Sequence, residues 1–321
     1  MNNSNLIIDA HADTLLKKYL DSITKLISTE EQTYHITKEY LVEGKVDIQV
    51  FAMFTPPKLE KLALEITLEM ISIAKDMAKN ENFILIKSLK DFKIISKDPT
   101  STGMILSVEG AEAFERNIKV LPLFYELGVR NIGLCWSRPN LFGDGVDFKS
   151  KDKGNGLTKQ GKQLVEEMEN LGIVVDVAHL NSEGYSDVSD ITNNPFIDSH
   201  SNAYEITPVA RNLTDDQLEI IASADGVVGI NFCPLFLAED LEKASITDVI
   251  KHMSYISEKI GVRHVGLGSD FDGIAMTPKG LEDARKIPCI IHLLEKEGFS
   301  RKDISMIMGG NFQRVFEKIW R

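Results

Sequence analysis

Residues 6–15 read LIIDAHADTL, a short apolar run that ends in a histidine and an aspartate two positions apart. Alternate side chains of a strand point to the same side, so His11 and Asp13 aim at one point wherever the strand runs that far. An imidazole and a carboxylate meeting where a strand passes into its loop make half of a site for a borderline divalent metal. A glycine-rich phosphate loop after the first strand would mark an open, doubly wound sheet, and DAHADTL is nothing of the kind. Fold and function both turn on whether the chain repeats this strand pattern and supplies the other half of the site.

Short apolar or β-branched runs recur at 6–10, 47–54, 103–108, 129–135, 173–178, 196–199, 226–232 and 264–268. Between them lie helical patterns: an amphipathic run over 59–79, one over 118–127 broken by Pro122, and one over 158–171 that opens on Thr158 and stops before Gly172. Thr214 caps a helix with two acids in its first turn, and 246–260 ends at Gly261. Runs 281–297, 300–308 and 311–319 read as closing helices. Strands alternating with helices imply a parallel sheet, and eight of them imply a closed (β/α)8 TIM barrel of the α/β class. Without repeat, low-complexity tract or linker, residues 1–321 read as one barrel domain, with irregular insertions near 20–45 and 139–157. The second insertion is polar and Gly-rich enough to form a mobile loop over the barrel mouth.

At 321 residues and 43% hydrophobic content the chain can fill one such core. Its net charge of −12 is spread without a basic stripe, which argues against nucleic acid and anionic membrane as partners. There is no basic leader followed by an apolar stretch, and no run near the ~20 apolar residues of a membrane span, so a cytoplasmic location is expected. Cys135, Cys233 and Cys289 are odd in number and in no CxxC pattern, as reduced thiols are, and the first two sit in apolar runs as core residues do.

Barrel enzymes place their chemistry at the C-terminal ends of the strands. There the chain carries His11 and Asp13, Glu109 of SVEG, His179 of DVAH, His200 of DSHS, and Asp270 with Asp272 of GSDFDG. Three of the seven histidines fall at strand ends, whereas His35, His252, His264 and His292 do not and are read as ordinary histidines. Three imidazoles, an aspartate and a glutamate exceed what one tetrahedral zinc uses, so two metals sharing a carboxylate fit better. Glu109 is the natural bridge, because a carboxylate can span ions roughly 3.5–4 Å apart. Ligation by His and carboxylate without thiolate favours Zn2+ and is compatible with Mn2+, Co2+ or Fe2+.

DAHADTL, SVEGAEAF, VVDVAHL, DSHSNAYEITPVARNLTDDQLEIIASADGVVGINF and VGLGSDFDG, in this order, resemble the membrane dipeptidase (renal dipeptidase) family of zinc metallopeptidases, over nearly the whole chain. The resemblance implies two Zn2+, one held by His11 and Asp13, the other by His179 and His200, with Glu109 between them. It implies attack on the peptide carbonyl by a metal-bridging hydroxide, with Asp270 shuttling the proton and Arg211 of PVARN gripping the terminal carboxylate of a dipeptide. It also implies tolerance of a C-terminal D-residue, and a homodimer. The chain departs from the mammalian pattern at Trp136 of LCWS, where those members carry a histidine thought to help bind the substrate carbonyl. An indole N–H donates one hydrogen bond but neither carries charge nor accepts a proton. The mammalian members are lipid-anchored, and no anchor signal is read here. Two other readings share the motifs: hydrolysis of another small amide, lactam or phosphoester, and a non-catalytic metal-loaded barrel that binds a small ligand. A free acid at Asp270 argues against the last.

Overall fold

The structure, a computed structural model, describes residues 6–24, 33–95, 98, 101–146 and 154–320. Its strands are β1 (Ile8–Ala12), β2 (Ile48–Phe54), β3 (Phe83–Leu85), β4 (Thr102–Glu109), β5 (Val129–Gly133), β6 (Val174–Asp176), β7 (Ile197–Ser201), β8 (Val227–Ile230) and β9 (Val265–Leu267). All pair in parallel, in the order β2-β1-β9-β8-β7-β6-β5-β4-β3, and a further pairing of β2 with β4 closes a ring of eight. These eight are the strands that the apolar runs locate, and helices follow them around the outside. The fold is the expected single-domain (β/α)8 barrel.

β3 is the ninth strand and lies outside the ring, pairing Phe83–Leu85 with the start of β4. Three residues directly after the long helix Ala63–Asn80 carry too little pattern to stand out from it. The 118–127 run divides at Pro122: a 3-10 turn, Ile118–Val120, precedes helix Leu121–Leu127, and Pro122 sits in the first turn of that helix, where its missing N–H costs no hydrogen bond. The closing run 281–297 narrows to helix Cys289–Lys296, with Pro288 at its N-cap. In the 20–45 stretch, helix Thr14–Thr24 runs in from β1 and Lys38–Glu43 precedes β2, while 25–32 lie outside the described residues. The centre of the second insertion, 147–153, also lies outside them, and its base is tied down by bridges Gly143–Leu157 and Gly145–Leu180.

One face of six strands fills the lumen near their N-terminal ends, with Ile8, Ile48, Val50, Ile105, Val174, Ile197 and Val227 packed on Phe312 and Phe316 of helix Asn311–Ile319. The barrel is thus plugged with apolar side chains at one end. Close approach inside the ring requires glycine: a Cβ at Gly229 or Gly268 would collide with the Ser199 carbonyl. Among the described residues no helix is long and apolar enough to cross a membrane.

His252 lies in the buried face of helix Ile246–Ile260, away from the donor groups at the barrel mouth. Its Nδ1 accepts from the Ala203 N–H at 3.0 Å and its Nε2 faces the Leu237 carbonyl at 3.2 Å, a pair that only the neutral Nε2–H ring satisfies. Burial lowers its pKa from 6.5 to about 4. As pH falls the unfolded chain takes up this proton first. The contribution of the neutral ring to stability is therefore complete above about pH 6.5 and is lost as pH falls toward 4, by roughly 3 kcal/mol. Urea unfolding of His252→Gln between about pH 7 and 4.5 should show a shallower loss of stability than the parent chain, and equal pH slopes would remove His252 from this account.

Candidate metal centre

The opposite, C-terminal end of the barrel is polar. His11 lies inside β1 and Asp13 directly after it, and the register of β1 against β2 shifts between Asp9 and Ala12, a bulge that re-aims side chains. Glu109 is the last residue of β4, and His200 lies within β7. His179 and Asp270 each follow the end of their strand by three residues, both with positive φ, 68° and 61°. Ser137 and Asp272 share that conformation. Four non-glycine residues in left-handed backbone around one mouth are the kind of local strain that accumulates at functional sites.

The side chains converge. His11 Nε2 is 3.5 Å from Asp13 Oδ2 and 3.5 Å from Glu109 Oε2. The other Glu109 oxygen, Oε1, is 3.0 Å from His179 Nε2 and 3.6 Å from His200 Nε2. His179 and His200 have their Nε2 atoms 2.9 Å apart, and the His11 ring stacks on His200 at 3.7 Å. His11, Glu109 and His200 form one compact donor group, and His11, Asp13 and Asp270 another. Every one of these residues except Asp270 is buried.

These residues fit a divalent metal. His11 Nε2 and Asp13 Oδ1 are buried without a hydrogen-bond partner, a costly state that a cation relieves. Ser137 Oγ meets His179 Nδ1 at 2.6 Å and Ser199 Oγ meets His200 Nδ1 at 2.7 Å, so both rings turn Nε2 toward the same small volume. Burial, with Arg211 nearby, holds both imidazoles below their ordinary pKa, His179 at about 4. Burial alone would raise the Glu109 carboxyl, but His11 and His179 hold it well below the usual range, as an anion. Asp270 is partly exposed and accepts from Asn231 Nδ2 at 3.0 Å. Desolvation of its carboxyl, offset by His11 but reinforced by Asp13 and Glu109, pushes it up to about 7.

Three acids that the sequence reading passed over hold this arrangement. Asp9 accepts from Ser269 N–H and Oγ at 2.8 and 2.6 Å, tying β1 to the end of β9. Asp176 accepts from the N–H groups of Ala178 and Ser199, at 3.1 and 3.0 Å. Asp198 accepts from the His200 N–H and from Ser201 Oγ, at 3.2 and 2.6 Å, and from the Tyr185 hydroxyl. The signal was present: each of DAH, DVAH and DSH carries an aspartate two or three residues before its histidine.

Arg211 is buried, with Nη2 donating to the His200 carbonyl at 2.8 Å and Nη1 to Ser201 Oγ, while Nε has no hydrogen-bond partner. Trp136 sits at the rim between Phe54, at 4.9 Å between ring centres, and His179, at 5.7 Å. Cys135 and Cys233 are buried, and burial raises both thiols, Cys233 to about 12, as inert core cysteines require. His35 and His264 bond backbone groups, to the Asp272 N–H at 3.0 Å and the Gly226 carbonyl at 2.8 Å, and His292 is exposed.

A closed parallel barrel with a buried nitrogen and oxygen donor set at its C-terminal mouth defines a metal-dependent hydrolase. The sequence profile of the family described as membrane dipeptidase (peptidase family M19) matches residues 1–320. A metallopeptidase from Rhodobacter sphaeroides, crystallised with a phosphinate mimic of the dipeptide L-Ala-D-Ala, superposes with a TM-score of 0.89 at 29% identity, covering 98% of this chain and 99% of that one. The M19 metallopeptidase described as dipeptidase AC superposes with a TM-score of 0.89 at 30% identity, covering 98% of each chain. Dipeptidase aclJ of Aspergillus oryzae is 37% identical over 218 residues, 68% of this chain and 51% of that protein, so the match spans about half its length. The chain belongs to the membrane dipeptidase family, and its class is that of a metallo-dipeptidase.

The two serine hydroxyls on the imidazoles give a direct test. Ser137→Ala or Ser199→Ala should weaken divalent metal binding about 10- to 100-fold in competition with a chromophoric chelator, as loss of a ligand's supporting hydrogen bond does. Unchanged affinity in both would show that these hydroxyls do not orient the rings.

Proposed function

We propose that this metallo-dipeptidase is a dinuclear zinc enzyme that hydrolyses dipeptides, those with a C-terminal D-residue included. The observation that carries the reading is the division of Glu109, whose Oε2 faces His11 and whose Oε1 faces His179 and His200. One carboxylate facing two donor sets suits two ions, His11 and Asp13 serving one and His179 and His200 the other. The D-residue rests on the ligand of the Rhodobacter sphaeroides relative.

Two zinc ions held by these residues would lower the pKa of the attacking water and polarise the scissile carbonyl. The side chains supply the rest. Asp270, with its carboxyl near neutrality, accepts the proton of the attacking water and returns it to the leaving amine. Arg211 commits two of its five N–H groups to Ser201 and His200, and Nε is among those left to receive the substrate's C-terminal carboxylate. Trp136 and Phe54, on the side of the mouth formed by β2 and β5, give an aromatic wall for the N-terminal residue. A cytoplasmic enzyme accords with three free cysteines, and a net charge of −12 accords with a small-molecule substrate and no nucleic-acid partner. We include the homodimer implied by family resemblance in this proposal, to be checked by light scattering.

Asp270→Asn should keep its metal and lose about 100-fold or more in kcat, the scale of general acid–base catalysis. Full turnover would end the assigned role. Arg211→Met should act chiefly on KM for dipeptides, and an unchanged KM would assign the carboxylate to another group.

A further inference from the structure

The second acid of SDFDG binds no part of the donor set, yet its side chain is 0% exposed and fully engaged. Asp272 Oδ2 accepts from Thr14 Oγ1 at 2.7 Å. Its Oδ1 accepts from the His35 backbone N–H at 2.8 Å and from Lys17 Nζ at 3.2 Å, and its own N–H donates to His35 Nδ1 at 3.0 Å. Three segments therefore meet at one carboxylate: the start of helix Thr14–Thr24, the bend at His35, and the turn after β9.

That turn is the one that carries Asp270. Its other end is fastened by Ser269 to Asp9, and its backbone is bonded to β1 through Asp270 N–H to the His11 carbonyl at 3.1 Å and Asp13 N–H to the Phe271 carbonyl at 2.9 Å. Asp270 and Asp272 both hold positive φ, 61° and 67°, which side chains with a Cβ rarely adopt unless the surroundings impose it. Gly273 packs so closely beneath the carboxylates of Asp13 and Asp270 that a single methyl there would collide with both. The separation of these two acids is thus set by how the turn is held, and Thr14, next to Asp13 in sequence, is where Asp272 holds it.

We infer that Asp272 is a positioning residue: through Thr14, Lys17 and His35 it latches the Ser269–Gly273 turn to the end of β1 and so fixes Asp270 relative to Asp13. The inference rests on Asp270 being the proton carrier. A displacement of about 1 Å in a reacting group can cost on the order of 100-fold in rate. Arg211 sits on the loop after β7 and is bonded to Ser201 and His200, not to the Ser269–Gly273 turn, so the latch is expected to act on kcat more than on KM.

Thr14→Val keeps the shape of the side chain and removes its hydrogen bond to Asp272, and Thr14→Ser restores that bond. With a dipeptide substrate, Thr14→Val should lower kcat about 10- to 100-fold with KM within about twofold, Thr14→Ser should return kcat to near that of the parent, and bound metal should be equal in all three. Hydrogen exchange in the peptide covering 269–273 should be faster in metal-free Thr14→Val, and in Asp272→Asn, than in the metal-free parent. Parent-like kcat in Thr14→Val, or a loss that Thr14→Ser does not reverse, overturns the latch. Asp270→Asn run alongside separates the two ideas: full activity in that variant overturns the proton role itself, whereas an inactive Asp270→Asn beside a fully active Thr14→Val overturns the latch alone.

Discussion

A single carboxylate, Glu109, is held at the centre of the barrel mouth between imidazoles from three other strands or strand ends. It is buried and anionic beside Asp13, also buried, and the partly exposed Asp270. Three carboxyl groups this close repel one another, and the repulsion is relieved by a bound proton or by positive charge brought among them. Burial holds His179 and His200 below their ordinary proton affinity, whereas at His11 the carboxylates of Glu109 and Asp13 outweigh burial and hold the ring well above its own. The partnerless His11 Nε2 and Asp13 Oδ1 show where a cation would find donors.

The rest of the molecule makes that crowding possible. Closing the sheet through the β2–β4 pairing brings β1, β4, β6, β7 and β9 around one mouth, although their polar ends are as far apart in sequence as His11 and Asp270. The apolar plug of Phe312 and Phe316 holds the other end, so the strands cannot splay. A layer of aspartates, Asp9, Asp176 and Asp198, then fixes the backbone on which the donors stand. The apolar plug lies at one end and the donor groups at the other, the division expected of barrels whose chemistry lies at the C-terminal face.

The ring of strands was legible because each strand is an apolar run between helical patterns, and the donors were legible because histidines are scarce and three of them end such runs. β3 was not, because Phe83–Leu85 is shorter than any pattern that periodicity can distinguish from the preceding helix. Ser137 and Ser199 were not, because a hydroxyl on an imidazole Nδ1 depends on the turn geometry of His179 and on the packing of His200, which no spacing encodes. Asp272 was seen only as the neighbour of Asp270. Its partners Thr14 and His35 are brought to it by closure of the ring between β9 and β1, a contact across more than two hundred residues of sequence.

Whether two ions share Glu109 is read most directly by metal stoichiometry against activity. Metal-free protein titrated with zinc should gain dipeptide hydrolysis that rises to a plateau at two equivalents per chain, with two zinc ions found by elemental analysis at the plateau. Full activity at one equivalent, or turnover in protein verified to be free of metal, would contradict it.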